Sequence, residues 1–197
     1  MMSSQTGRVA ERPIEELFLD RWSPRAFTDE AITLDVLDTF FEAARWAPSA
    51  FNAQPWRFLY ALRGDENWEL FTGLLAEFNR VWAHRSAALI FLVSQGHFRV
   101  PGSETDTASY SHSLDAGAAW GNFALQAARS GWAAHGMTGF DHERAPRALN
   151  VREGDRVEVA ISVGRKGSPS LLPEKLQARE KPSDRLPLAQ IRRAGPL

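Results

Sequence analysis

The sequence feature that most constrains the fold is a nearly continuous apolar run at residues 87–94, which reads Ala-Ala-Leu-Ile-Phe-Leu-Val-Ser. Apolar side chains without alternation favour a β-strand that is buried on both faces. The run is also too short for a typical buried helix. We therefore expect a sheet that has this strand near its centre.

Helical and strand patterns alternate on both sides of this run. Further strands are predicted at 56–62, 132–136 and 156–163. Helices are predicted at 13–20, 34–46, 67–79, 113–130 and 143–149, with Thr33 as the N-cap of the second. The polar stretch 95–109, which contains Pro101, is expected to be a loop. Interleaved elements of this kind predict the α+β class, with a central mixed β-sheet flanked by helices.

The length of 197 residues suits one domain with additional arms. Residues 1–12 are polar and are expected to form an N-terminal arm, and residues 13–167 carry the folded domain. Residues 168–197 are rich in proline and charge and have too few apolar side chains for a core of their own. We expect this C-terminal extension to pack on the domain or on a partner subunit.

Composition excludes several classes of function. The net charge of −1 gives no basic field for nucleic acid, and no apolar stretch is long enough to span a membrane. There is no cysteine, so disulfides and thiolate chemistry are absent, and a cytoplasmic location is expected. The five histidines show no compact metal-binding spacing, so no metal site is predicted. Glycine patterns of Rossmann and phosphate-loop proteins are also missing.

Three short segments carry candidate binding chemistry. In the segment 21–25, the guanidinium groups of Arg21 and Arg25 and the Ser23 hydroxyl can converge on one phosphate. Taken on spacing alone, an ordinary surface loop explains this segment better. In the segment 47–56, two prolines stiffen a loop that presents Asn52 and Gln54, whose amides both donate and accept hydrogen bonds. A loop that simply ends the preceding helix is an equal alternative.

The third segment is Gly136-Met137-Thr138-Gly139-Phe140. Two glycines allow the backbone to approach a flat ligand, although a tight turn explains them as well. In the helix at 113–130, Gly117 and Gly121 lie four residues apart, which indicates close packing of another backbone, within the chain or across a dimer.

These segments occur in the order typical of one known family. The chain resembles the FMN-dependent nitroreductases from about Ile14 to Ala189. The resemblance is carried by Arg21, Ser23 and Arg25, by the block Ala-Pro-Ser-Ala-Phe-Asn-Ala-Gln-Pro-Trp at 47–56, by Asn79, by the helix 115–131, by Gly139-Phe140 and by Arg185-Leu186-Pro187. It implies a homodimer with two FMN sites that both subunits share.

The resemblance also implies roles for single residues. Arg21, Ser23, Arg25 and Arg185 would hold the FMN phosphate. Asn79 would reach the flavin or its ribityl chain, and the backbone at Thr138 and Gly139 would lie near the nitrogen that accepts hydride. Pro48, Ser49 and Asn52 would reach the flavin of the partner subunit, and Gln54 would contact flavin or brace the loop. Trp82 stands where several members of the family have a lysine.

For activity, the resemblance implies that NADPH or NADH gives hydride to FMN and is then replaced by a small, flat acceptor such as a nitroaromatic or a quinone. No side-chain acid or base is obligatory for this chemistry, because the cofactor carries it. The alternative is an FMN-binding or interaction module without pyridine-nucleotide turnover.

Overall fold

The structure is a computed structural model that describes residues 6–100 and 102–196. Its helices are α1 (Glu16–Asp20), α2 (Leu34–Arg45), α3 (Trp68–Gly73), α4 (Glu77–Ala83), α5 (His112–Arg129), α6 (Arg144–Ala148), α7 (Glu174–Gln177) and α8 (Leu188–Ile191). Its strands are β1 (Trp56–Leu62), β2 (Ala88–Ser94), β3 (His97–Arg99), β4 (Asp106–Ala108), β5 (Ala133–Met137) and β6 (Arg156–Gly164). Short 3₁₀ turns lie at Ala50–Asn52 and Pro169–Leu171.

The central sheet has four strands in the order β1-β2-β6-β5. The predicted α+β class with helices around a central sheet is confirmed. One aspect of the prediction differs, because all three strand pairings are antiparallel and the sheet is not mixed. β2 and β5 do run in the same direction and are joined through α5. They cannot form a parallel pair, however, because β6 lies between them.

The apolar run that forms β2 is buried at every position, as predicted. Its side chains alternate between two hydrophobic cores, one on each face of the sheet. Leu89, Phe91 and Val93 join a core with residues of α3 and α4, whereas Ile90 and Leu92 join a core with residues of α2 and α5. Because both faces are covered, the strand needs no polar face, which explains the unbroken run.

Elements with a clear local signal lie close to their predicted positions. β1 spans the predicted residues 56–62. α2 starts after Thr33, whose side-chain oxygen accepts a hydrogen bond from the Val36 amide at 3.4 Å. The helix buries Leu37, Phe40 and Ala44 against the sheet. A capping residue and apolar side chains at helical spacing are thus sufficient to place this helix.

The helix predicted at 67–79 is wrong in its continuity. α3 ends at Gly73 and α4 begins at Glu77, because the intervening chain pairs with a distant segment. Leu75 forms an isolated β-bridge with Phe140, and the Asp141 amide donates to the Leu74 carbonyl at 2.8 Å. These contacts with residues 140–141 replace the hydrogen bonds that a continuous helix would make.

Two further predictions need correction. The stretch 95–109 was expected to be a loop, but it contains the antiparallel pair of β3 and β4; Pro101 lies outside the described residues. The first helix begins at Glu16 and not at Pro13. β3, β4 and α1 are only three to five residues long, so their sequences contain too few side chains for a periodic signal.

Chain segments near the two ends contact the domain and each other. The buried carboxylate of Glu180 accepts hydrogen bonds from the Arg25 and Ala26 amides at 2.7 and 2.8 Å. The Leu188 amide donates to Glu11 Oε1 at 2.9 Å. The division into arm, domain and extension stays a prediction. In the described part of the chain, no helix has the length and apolar character needed to cross a membrane.

Candidate functional site

A cationic cleft of about 310 Å³ lies beside the loop that follows α1. Arg21, Ser23, Arg25 and Arg185 all line this cleft, so the structure brings together the four residues expected at a phosphate. Arg21 Nη1 donates to Ser23 Oγ at 3.4 Å, so these two side chains are also bonded to each other. The three side chains of the segment 21–25 therefore do converge on one cleft, although their spacing alone favoured an ordinary surface loop.

The cleft contains further residues that sequence reasoning missed. They are Arg8, Trp22, His135, Arg179, Lys181 and Ser183. Arg8 lies in the segment before α1, and His135 lies on β5. The sequence does signal part of this set, because several basic side chains lie between Lys175 and Arg185, close to the arginine that the family resemblance assigns to the phosphate.

The electrostatics of the cleft favour a compact anion. Of its described lining residues, six carry a cationic side chain and none is acidic. Burial, reinforced by the charges of Arg185 and Arg8, lowers the pKa of the Arg21 guanidinium. Among the described residues, the buried Arg8 Nε finds no hydrogen-bond acceptor. A buried donor without an acceptor is costly, so an incoming phosphate would relieve both this deficit and the mutual repulsion.

Arg25 also takes part in holding the loop. Its guanidinium lies 3.8 Å from Glu180 Oε2, and the Glu180 side chain is 2 % exposed. The other oxygen of this carboxylate binds the backbone amides of Arg25 and Ala26. Removing the Arg25 side chain would therefore strand a buried charge, and its effects on binding and on stability would be mixed.

His135 forms part of the floor of the cleft. Its Nδ1 lies 3.0 Å from the Pro24 carbonyl oxygen, and its ring packs on Trp82 at a centroid distance of 4.8 Å. Burial lowers the pKa of His135 to about 4; the hydrogen bond to Pro24 opposes this shift, and the charge of Arg25 adds to it. The ring is therefore neutral at pH 7. Because a carbonyl oxygen only accepts, Nδ1 carries the proton.

A second cavity of about 410 Å³ adjoins the cleft and shares Arg21 and Ser23 with it. Its remaining walls are mostly apolar and comprise Phe18, Trp120, Gly121, Ala124, Leu125 and Gly136. A Cβ atom on Gly136 would lie 3.2 Å from both Trp120 and Val159, so a larger residue would displace this packing. The cationic cleft thus continues into a space that suits an apolar ring system.

Asn79 and Gly139 lie together at the junction of α4 with the segment after β5. The buried Asn79 side chain donates from Nδ2 to the Gly139 carbonyl at 2.9 Å. A Cβ atom on Gly139 would overlap the ring of Phe78, so close packing of α4 accounts for this glycine. Thr138 is exposed, and its carbonyl accepts from the Phe140 amide at 3.2 Å.

The loop at 48–54 lies apart from the cleft within one chain, since none of its residues is among the cleft's lining residues. Phe51, Asn52 and Gln54 have positive φ angles of 55°, 53° and 48°. Gln54 Nε2 donates to the Asn52 carbonyl at 3.1 Å, so this side chain braces the loop. Pro48 and Asn52 are exposed, and Ser49 is half-buried.

Trp82 is a core residue. Its side chain is almost fully buried, with the ring of Phe27 at 6.2 Å and that of His135 at 4.8 Å. It supplies no charge at this position. In the described part of the chain, no group of three or more potential ligands could hold a metal ion.

Several known proteins are similar to this chain in sequence or in structure. A solved oxidoreductase described as containing FMN is 43 % identical, with coverage of 99 % of this chain and 98 % of that one and a TM-score of 0.93. An uncharacterized 15.4 kDa protein of Mycolicibacterium smegmatis is 33 % identical over 148 residues, which are 71 % of this chain and 95 % of that protein. Nitrobenzene nitroreductase of Ectopseudomonas oleovorans is 36 % identical over 52 residues, 26 % of this chain and 22 % of the enzyme.

The model of the nitroreductase family matches residues 19–165, which include the loop after α1, the 48–54 loop and the whole central sheet. The residues that carry the predicted resemblance therefore lie within the match, apart from those at the C-terminal end. The chain belongs to the nitroreductase family.

Proposed function

We propose that the protein is an FMN-dependent oxidoreductase that takes hydride from NADPH or NADH and reduces a small, flat acceptor such as a nitroaromatic or a quinone. The observation that carries this proposal is the cationic cleft that continues into an apolar cavity and shares Arg21 and Ser23 with it. A cofactor with a phosphate at one end and a fused ring at the other matches this sequence of environments.

The residues of the cleft fit a phosphate monoester. Arg21, Arg25 and Arg185 offer guanidinium donors, Ser23 offers a hydroxyl, and the buried Arg8 Nε needs an acceptor. A phosphate ester carries nearly two negative charges at neutral pH and would offset the repulsion among these cations. When bound, FMN supplies the hydride-accepting ring, and the chain's own residues hold and orient it.

On the ring side, we propose that Asn79 and the backbone at Thr138 and Gly139 contact the flavin. The hydrogen bond from Asn79 to the Gly139 carbonyl would fix these groups relative to each other. His135 is neutral at pH 7, so it adds no charge to the cleft, and the attraction for a phosphate comes from the other basic side chains.

We further propose that the functional unit is a homodimer in which Pro48, Ser49 and Asn52 reach the flavin of the partner subunit. Pro48 and Asn52 are exposed, and none of the three residues lines the cleft of its own chain, which supports this arrangement. α5 also presents an open face: Leu114 is 76 % exposed, and a Cβ atom on Gly117 would have no neighbour within 4 Å in the described chain. Such a face suits close approach of a second helix.

The test is an absorbance spectrum of the purified protein, followed by anaerobic titration with NADPH and NADH. We expect a flavin spectrum that bleaches on addition of at least one nucleotide and recovers when a quinone or nitroaromatic is added. A colourless protein that does not bind added FMN contradicts the proposal. Light scattering provides the test of the dimer, because a particle of 22.0 kDa with FMN bound would contradict the shared site.

The second candidate is an FMN-binding or interaction module without redox turnover. Trp82 favours this candidate, since its buried side chain supplies no positive charge at the position where several family members have a lysine. In that case the protein would bind FMN but would not be reduced by either nucleotide. Fast bleaching by NADPH or NADH would exclude this candidate.

A further inference from the structure

The loop at 48–54 has a backbone that its own sequence does not favour. Phe51, Asn52 and Gln54 all lie in the left-handed region of φ. Each non-glycine residue in this region costs about 1–2 kcal/mol, with asparagine the most tolerant. A loop with three such residues keeps one shape only when contacts outside it compensate for this cost.

One set of contacts lies within the loop. Ser49 Oγ accepts a hydrogen bond from the Gln54 amide at 3.0 Å, and the Ser49 carbonyl accepts from the Asn52 amide at 3.0 Å. At the exit, Arg57 Nη1 donates to the Gln54 carbonyl at 3.0 Å. The two Ser49 bonds close the loop on itself, and the Arg57 bond ties its end to β1, but none of these bonds joins the 3₁₀ turn at Ala50–Asn52 to the rest of the domain.

The Phe51 ring stacks on Phe98 of β3 at a centroid distance of 5.5 Å, and a hydrogen bond that ties the turn's backbone to the domain comes from Asp115 on the first turn of α5. Its Oδ2 accepts from the Ala50 amide at 3.2 Å and from Ser111 Oγ at 3.0 Å. Asp115 is 6 % exposed, so its carboxylate reaches the loop from the interior. Asp115 therefore joins the start of α5 directly to the 3₁₀ turn that contains two of the three strained residues.

The start of α5 is itself fixed to the sheet. Ser94 Oγ, at the end of β2, lies 2.7 Å from His112 Nδ1 and 2.6 Å from Glu158 Oε1 of β6. Ser113 Oγ donates to the same Glu158 oxygen at 2.5 Å. Because the first two residues of α5 are bonded to side chains of two adjacent strands, the Asp115 carboxylate has a fixed position from which to hold the loop.

We propose that Asp115 is a positioning residue for the cofactor site: it holds the loop at 48–54 so that Ser49 and Asn52 face the flavin ring of the partner subunit, and it touches no cofactor itself. This inference rests on the proposed function. It assigns the placement of the 48–54 loop to a carboxylate in the core, and no residue of that loop lines the phosphate cleft.

The experiment measures the affinity of apo-protein for FMN and for riboflavin, which has the ring and ribityl chain without the phosphate. Asp115→Ala is expected to weaken the binding of both flavins by the same factor, roughly tenfold to 150-fold, the usual range for a lost hydrogen bond to a charged group. Asp115→Asn keeps an oxygen acceptor for Ala50 and is expected to restore most of the affinity. Asp38→Ala, which removes an exposed acid on α2, is the matched control.

Arg185→Ala is the opposite comparison, since it is expected to weaken FMN and spare riboflavin. Amide exchange of the peptide 47–56 gives a readout without cofactor: it should be faster in Asp115→Ala and near wild type in Asp115→Asn. If Asp115→Ala binds riboflavin as tightly as wild type, or loses FMN alone, the positioning role is overturned. If wild type binds neither flavin, the proposed function fails and this inference fails with it.

Discussion

The cationic cleft and the loop at 48–54 organise their polar groups in opposite ways. The cleft gathers side chains from the segment before α1, the loop after α1, β5 and residues 179–185, and Arg179 and Lys181 have no side-chain hydrogen bond or ion pair among the described residues. The loop is one continuous segment in which hydrogen bonds hold an unfavourable backbone. The difference indicates that the cleft attracts an anion through several similar charges, whereas the loop keeps one backbone conformation through a few hydrogen bonds.

The largest expected effect is the loss of FMN from a cleft without two of its arginines. Arg21→Gln combined with Arg185→Gln should lower FMN affinity by about 3–6 kcal/mol, twice the range for one charge-assisted hydrogen bond. Neither residue forms an ion pair with the buried Glu180, so folding should be preserved. Calorimetric titration with FMN and riboflavin measures the effect.

Riboflavin is the control for this double variant, since it carries no phosphate. Its affinity should stay within about threefold of wild type, and added salt should weaken FMN binding more in wild type than in the variant. An equal loss of affinity for FMN and riboflavin would contradict the assignment of the phosphate to the cleft and of the ring to the loop.

A smaller effect is expected from pH, because the cleft contains His135. Its pKa in the folded protein is about 4, below the usual 6.5, so between these values the unfolded chain binds a proton that the folded chain does not. Stability should therefore fall as pH decreases from about 6.5 to 4, by on the order of 2–3 kcal/mol. Urea unfolding of the apo-protein at several pH values measures this slope.

In His135→Gln the slope should be shallower by this amount, whereas the exposed His84→Gln should leave it unchanged. A slope that is the same in wild type and in His135→Gln would show that His135 does not stay neutral in the cleft.

The smallest expected effect concerns the internal closure of the loop. Ser49→Ala leaves the Gln54 amide without its acceptor and should lower the free energy of unfolding by about 1 kcal/mol. Ser168→Ala removes a comparable bond, to the Ser170 amide in an exposed turn, and should change stability by less than about 0.5 kcal/mol. Equal effects in urea unfolding would mean that the loop is no more dependent on its bonds than an ordinary turn.

Features with a local physical cause could be predicted from the sequence. The limits of β1, the Thr33 cap and the burial of β2 follow from side chains within the element itself. The gathering of Arg21, Ser23, Arg25 and Arg185 followed from the family resemblance, because spacing alone favoured a surface loop.

Features that depend on distant pairing could not be predicted. The interruption between α3 and α4 arises from the bridge between Leu75 and Phe140, 65 residues apart, and nothing near Leu75 signals it. Arg8 and His135 entered the cleft because the fold brings them there, and the role of Asp115 depends on a bond to Ala50. A helix of small residues with one aspartate gives no indication that this carboxylate reaches a loop 65 residues earlier.

The position of β6 has a consequence for the order in which the chain can assemble during synthesis. β6 is the last strand of the sheet in sequence and yet occupies an interior place between β2 and β5. Until residues 156–164 leave the ribosome, β2 and β5 each expose an edge whose backbone groups are unpaired, and contacts of such long sequence separation form slowly. We therefore expect nascent chains that stop short of β6 to need chaperone protection and to bind no flavin.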